Sequence, residues 1–547
     1  MKYLAIVLLL VAPLTILAQH SHPDYESPAE LIAGLGPVDH PVATKNAEAQ
    51  KFFNQGLACL YGFNHEEAVR SFKRAAALDP QLAMAYWGIA LALGSNYNLQ
   101  AQGPALLEAF SNLRKAQSLA AGASENDRAY IDALAKRYSA DLTVDAQKLA
   151  VDYKNAMGAL VKTYPDDLDA ATLYAESLMN LRPWKLWSAD GKPAEDTLEI
   201  VAVLESVLRR NPNHPGANHY YIHAVEASND PARALPSADR LGKLAPMAGH
   251  LVHMPSHIYI RTGDYSQAAQ SNSAAITADR EFIAKTKAQG VYTLMYYNHN
   301  VHFLASADAM RGRYGNAIKT ARELEAGVKP HLSAMPMLEM FVLYPTVTQI
   351  RFAMWDEILK NPKPQPEWKI STAFWHFSRG LAYAGMYDPA KAESELSAFE
   401  EVAKGIPAGS PTGNNVASNF LEVARRMLEG KIALARHEKP PAYQLFQKAL
   451  AADDAIVYNE PPDWDLPSRE LYGGALLMNG DNAEAENVFR SELKKHPQNG
   501  RALFGLSESL KRQGKRSEAK KVQRQFHQAW SAADTKLTVK SLAGFTR

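Results

Sequence analysis

The feature that most constrains this chain is a helical stripe that returns at a fixed period. At residues 66–80 (EEAVRSFKRAAALDP), Ala68, Phe72 and Ala75 share one helix face and a proline closes the segment. The same spacing recurs as Ala485, Phe489 and Pro497, preceded by Gly473, and Ala519 follows Ala485 by one period of about 34 residues. A chain of 547 residues is too long for one ordinary core. Repetition resolves this, because each helix pair exposes an apolar face that only a neighbouring pair can bury.

With the small residue of the second helix as a phase marker, Ala268, Ala317 and Ala390 fall into line behind the turns RTGDY at 261–265, RGRY at 311–314 and AGMY at 384–387. Units then begin near Ala49, Ala83, Leu168, Pro215, Gly249, Asn298, Ser371, Leu466 and Gly500, and Pro80, Pro165, Pro212, Pro246 and Pro497 close their units in one phase. This pattern covers most of residues 49–533 and resembles the tetratricopeptide repeat (TPR). The resemblance implies an all-α fold, a right-handed TPR solenoid of stacked helix-turn-helix units with a concave groove. Departures from the period are expected at 99–160, helical but irregular, at 184–193, 361–368, 405–415 and 459–467, and in the 15 extra residues between the units starting at Gly249 and Asn298. The expected organisation is an N-terminal extension at 19–48, repeats at 49–180, histidine-rich repeats at 181–370, further repeats at 371–533 and a tail at 534–547.

Composition narrows the partners. Lysine plus arginine number 59 against 58 acidic residues, without a block of one sign, which argues against nucleic acid and anionic membrane. Lys2, the apolar run at 4–18 and the polar residues after it read as a cleaved signal peptide at 1–18, hence a periplasmic or secreted protein. No later apolar stretch is long enough to span a bilayer. Cys59 is the single cysteine, so no intrachain disulfide or thiolate metal cluster can form, and its aliphatic surroundings mark it as a buried apolar side chain.

Seven of the 17 histidines lie between 219 and 302: His219, His223, His250, His253, His257, His299 and His302. Within their units they recur at places separated by three, four or seven residues, which keeps them on one helix face, and Glu226 joins His219 and His223. The TPR resemblance implies that these places face the groove. Three consecutive first helices then aim imidazoles at one stretch of it, a donor set suited to a transition metal ion such as zinc, copper or iron. Pro255, inside HMPSH, is expected to kink the helix and to leave His250 and His253 on a turn. No H-E-x-x-H motif is present. The same phase places Glu176, Arg261, Arg379 and Glu470 as groove-facing ligand-binding candidates, the arginines for an anionic group or as ordinary surface ion pairs. Tyr220, Tyr221, Tyr296 and Tyr297 adjoin the histidines as packing residues.

The stretches YGFNHEEAVRSFKRAAALDP and YWGIALALG, with the histidine-rich first helices, also resemble a group of exported bacterial repeat proteins, a resemblance that implies no particular activity. Three readings stay open. The first is a metal-binding solenoid for storage, delivery or structural clamping, and the second a metal-dependent hydrolase or oxidase using the same residues. The third is a non-catalytic scaffold that takes a peptide, protein or small molecule in its groove without tightly bound metal.

Overall fold

The computed structural model describes residues 28–407 and 409–545, so the segment 1–18 expected to be a signal peptide lies outside the described residues. The chain is an all-α solenoid of TPR type. Helix pairs follow one another from Ala47–Tyr61 with His65–Leu78 to Gly500–Arg512 with Arg516–Ala529, and the only strands among the described residues are Pro411–Thr412 and Asn415–Val416. First helices start at Ala47, Ala83, Leu168, Pro215, Gly249, Asn298, Lys369, Ser468 and Gly500, each within two residues of the start expected from the repeat phase. Local chemistry fixes several of them: Asn46, Asp167 and Asn499 accept hydrogen bonds from backbone N–H groups of the first turns they cap.

The phenylalanine of the stripe explains the period. Phe72 fills the gap between the first helices of its own unit and the next, where Gly56 and Gly88 leave room; a Cβ at either would lie 2.6 Å or 2.5 Å from its ring. Phe489 stands in the same relation to Gly473 and Gly505, and Phe446 to Gly430. That last pair belongs to Ala417–Ala435 and Lys439–Asp454, a unit the phase markers passed over. The stretch expected to be irregular at 99–160 also contains a regular pair, Glu125–Leu134 with Ala146–Thr163.

The groove is not open where the histidines lie. The solenoid curls until its first pair meets the Pro215–Val225 helix, with Tyr61 edge-on to His214 and Tyr220 at ring-centroid separations of 5.3 Å and 6.1 Å. Gly216 permits this, since a side chain there would collide with the Tyr61 ring. The clasp continues through Tyr61 Oη donating to Asp169 at 2.5 Å, His40 Nδ1 2.8 Å from the same carboxylate, and Glu66 accepting from the backbone N–H groups of Val291 and Tyr292. One large core therefore runs from Ala29 to Tyr296, and Cys59 is buried within it.

A second core spans residues 343–545, and its concave face holds the chain's own tail. Leu542, Ala543 and Phe545 are buried; Lys431 Nζ donates to the Ala543 carbonyl and lies 3.2 Å from the Phe545 ring centroid. Gly474 gives the tail its space, because a Cβ there would stand 2.6 Å from the Ala543 nitrogen. Gly474→Val is expected to undock residues 539–545 at a cost of about 1–3 kcal/mol, read as faster amide exchange in the tail with the repeat helices still protected. Unchanged tail protection would contradict this packing.

Candidate metal centre

Four helical segments, from the first-helix positions of three successive units, supply the histidines. Pro215–Val225 carries His219 and His223, with Glu226 at its C-cap. Gly249–His253 and Pro255–Thr262 carry His250, His253 and His257. The helix is interrupted at HMPSH as expected, ending at His253 and restarting at Pro255, but His250 and His253 stay helical: Met254 keeps helical dihedrals (φ −50°, ψ −35°) and its N–H still bonds the His250 carbonyl at 3.0 Å. His299 follows a six-residue π-helix, Tyr292–Tyr297, at the start of Asn298–Met310. The wider turn accommodates part of the insertion before this unit.

Hydrogen bonds at one nitrogen of each ring decide what the other can do. His219 Nδ1 lies 2.6 Å from the Tyr61 carbonyl, an acceptor only, so Nδ1 carries the proton. His223 Nδ1 donates to Glu226 Oε1 at 2.8 Å, and His257 Nδ1 donates to Glu226 Oε2. His253 Nδ1 lies 2.6 Å from Asn272 Oδ1, and that amide is oriented by its own Nδ2 donating to the Ala268 carbonyl. In the neutral rings all four Nε2 atoms are therefore lone-pair donors. Yet His253 Nε2 is 2.9 Å from His257 Nε2 and 3.1 Å from His299 Nε2, while His219 Nε2 is 3.2 Å from His250 Nε2.

Two lone pairs at 2.9 Å repel unless a proton or a cation lies between them. Two imidazoles bound to one zinc at 2.0–2.1 Å with tetrahedral angles have nitrogens about 3.3 Å apart, close to the separations seen here. Ligand atoms of His253, His257 and His299 can all lie within 4.8 Å of one another, as can those of His219, His223 and His250, and those of His223, Glu226 and His257. The Nδ1–H bonds to a carbonyl, an amide oxygen and a shared carboxylate are those that orient metal-bound imidazoles.

Burial works against the charged form of His219, His250, His253, His257 and His299. His219, His223, His250, His253 and His257 are 0–2 % exposed, whereas His299 is only half-buried. Burial first, then the neighbouring imidazoles, holds His219 and His250 well below the usual histidine range, and burial does the same for His253 and His299. Burial works against the Glu226 charge, but His257 and His223, each bringing an Nδ1–H to the carboxylate, outweigh it and hold the carboxyl below the usual carboxylate range.

The cover over the site was missed by sequence reading. Phe63 lies edge-on to His219 at 4.5 Å and stacks on His223 and His250 at 5.8 Å and 5.7 Å. Trp184 and Tyr97 close on His223 at 5.7 Å and 5.4 Å. Phe63 and Trp184 both adopt positive φ, +54° and +62°, which bulky side chains avoid. The Phe63 conformation belongs to the turn between the two helices of a pair: Gly263, Gly312, Gly480 and Gly514 hold positive φ in the equivalent turns, as do the non-glycine residues Ala353, Tyr387 and His437. The insertion at 184–193 also anchors here through Trp187 Nε1 donating to the Ala224 carbonyl at 2.7 Å. The 459–467 insertion brings Glu460 and, just before it, Tyr458 up to Arg261, whose guanidinium stacks on the Tyr458 ring at 5.6 Å. Burial raises the Glu460 carboxyl to about 8.

The remaining candidates fall elsewhere. His302 faces away from the cluster, edge-on to Tyr344 at 4.2 Å, and burial lowers it to about 3. Arg261 bonds the Glu226 and Ser228 carbonyls at 3.0 Å and 3.3 Å, which fixes the end of the histidine helix. Glu176 is buried and accepts from Asn180. Arg379 pairs with Glu395 at 2.7 Å and lies over Trp375, the ordinary ion pair. Glu470 accepts from Arg351 and Arg501 at 3.0 Å and 2.5 Å in the second core, and this buried charge network occupies it. Tyr220 and Tyr296 pack against Phe63 and His250, respectively.

No helix among the described residues is long and apolar enough to cross a membrane. No family model matches the chain, and no curated protein matches it. Among solved structures it is similar to the human IFIT1 dimer with PPP-AAAA, at 13% identity over 89% of this chain and 91% of that one, with a TM-score of 0.35. It is also similar to yeast Tom70, at 12% identity over 92% and 95% with a TM-score of 0.27, and to the TPR domain of P58(IPK), at 12% over 86% and 99% with a TM-score of 0.20. At such scores the fold rests on the chain's own helix pairs.

Proposed function

We propose that this protein is an exported solenoid that binds a transition metal ion through His253, His257 and His299. The observation that carries the reading is the convergence of three Nε2 atoms, those of His257 and His299 lying 2.9 Å and 3.1 Å from that of His253, with His253 and His257 deprived of an Nε2 proton by the Asn272 and Glu226 hydrogen bonds. Three neutral imidazoles suit zinc, copper or iron, and the half-buried His299 leaves one side toward solvent for an exchangeable ligand such as water. A bound ion would act there as a Lewis acid toward that ligand. The chain's own contribution is to fix three rings by their Nδ1 partners and surroundings and to hold Glu226 ionised behind them.

The test is elemental analysis of protein purified without a histidine tag. About one equivalent or more of a single transition metal that survives dialysis is the expected result. Substoichiometric, mixed metal that dialysis removes would overturn it in favour of the groove-binding scaffold, a reading to which the tail seated on the second concave face lends an example.

A further inference from the structure

Resting on that reading, we propose that the cluster holds a second metal ion, bound by His219, His223 and His250, with Glu226 linking the two positions. The second set stands on its own observations. His219 gives its Nδ1 proton to the Tyr61 carbonyl and His223 gives its own to Glu226, so both Nε2 atoms carry lone pairs. Nε2 of His223 is buried without a hydrogen-bond partner, a costly state for a polar atom unless something binds it. The His250 ring makes one hydrogen bond among the described residues, its Nε2 with that of His219, and its Nδ1 is buried and unpartnered.

The two sets adjoin. Ring centroids of His223 and His257 are 5.4 Å apart, those of His250 and His253 are 5.7 Å apart, and a single carboxylate accepts an Nδ1–H from one ring of each set. They differ in access. Phe63 covers all three rings of the inner set, whereas the outer set reaches solvent at His299. An all-imidazole pair of this kind takes two borderline cations, zinc or copper. The inner ion exchanges slowly and the outer one quickly.

The experiment counts zinc in the full chain after metal stripping, refilling with zinc alone and gel filtration, for the unaltered protein, His250→Phe, His299→Phe and the double variant. At both positions only Nε2 is engaged in the ring's hydrogen bond, and the ring packs on aromatic neighbours, Tyr296 for His250 and Phe303 for His299. Phenylalanine therefore removes the ligand and keeps the packing. The expected counts are two, one, one and none, with unchanged helical circular dichroism. One zinc that His250→Phe retains and His299→Phe loses would overturn the second ion while leaving the proposed function standing; no retained zinc in the unaltered protein would overturn both. If a variant loses its helical signal, the count in the unaltered protein, two against one, decides alone.

Discussion

Glu226→Gln is expected to weaken zinc binding about 10- to 100-fold, the usual range for loss of a group that orients a metal-bound imidazole. The carboxylate is 1 % exposed and accepts Nδ1–H from both His223 and His257. An amide of the same shape has one accepting and one donating end. It can satisfy only one ring with its oxygen; the other must accept from the amide N–H and move its own proton to Nε2, where it blocks coordination. The helix pairs stay assembled, because the replacement fills the same volume and costs about 1–3 kcal/mol in mismatched hydrogen bonding. Competition against a chromophoric chelator measures the affinity. An unchanged affinity would show that Glu226 does not set the tautomers of these rings.

Chelation of the metal is expected to destabilise the first half of the solenoid selectively. A ligand present at a thousand times its Kd stabilises the state that binds it by about 4 kcal/mol, and its removal also restores the lone-pair conflict between His253 and His257. A repeat stack transmits stability mainly between neighbours. The loss should therefore fall on the units from Pro215 to Met310 and on the first pair clasped to them, and spare the core at 343–545. Hydrogen exchange resolves the two halves. Equal loss of protection in both, or none, would contradict a metal seated in the histidine cluster.

Much of this was legible in the sequence, for reasons of range. Helix starts followed from a local period, and His219, His223, His250, His253, His257 and His299 share their faces because their offsets are helical. What escaped was set by contacts between distant parts of the chain. Phe63 covers histidines from the first pair, which the curl of the solenoid brings beside the fifth, and no local pattern announces it. The place of Glu226 behind the rings depends on which nitrogen faces it. His302 has the right offset from His299, but Tyr344 and Phe341 take its ring to the other wall. Glu470 and Arg379 have the phase of groove residues, and nearby charges claim them. The pair at 417–454 was within reach, since Gly430 and Phe446 repeat the relation of Gly473 and Phe489.

X-ray absorption at the zinc edge, on untagged zinc-loaded protein in frozen solution, tests the central claim most directly. The account predicts a first shell dominated by nitrogen at about 2.0–2.1 Å, with the outer-ring scattering of imidazole, diminished in amplitude in His299→Phe. A first shell of oxygen alone, without imidazole scattering, would place the metal outside the histidine cluster and contradict the account.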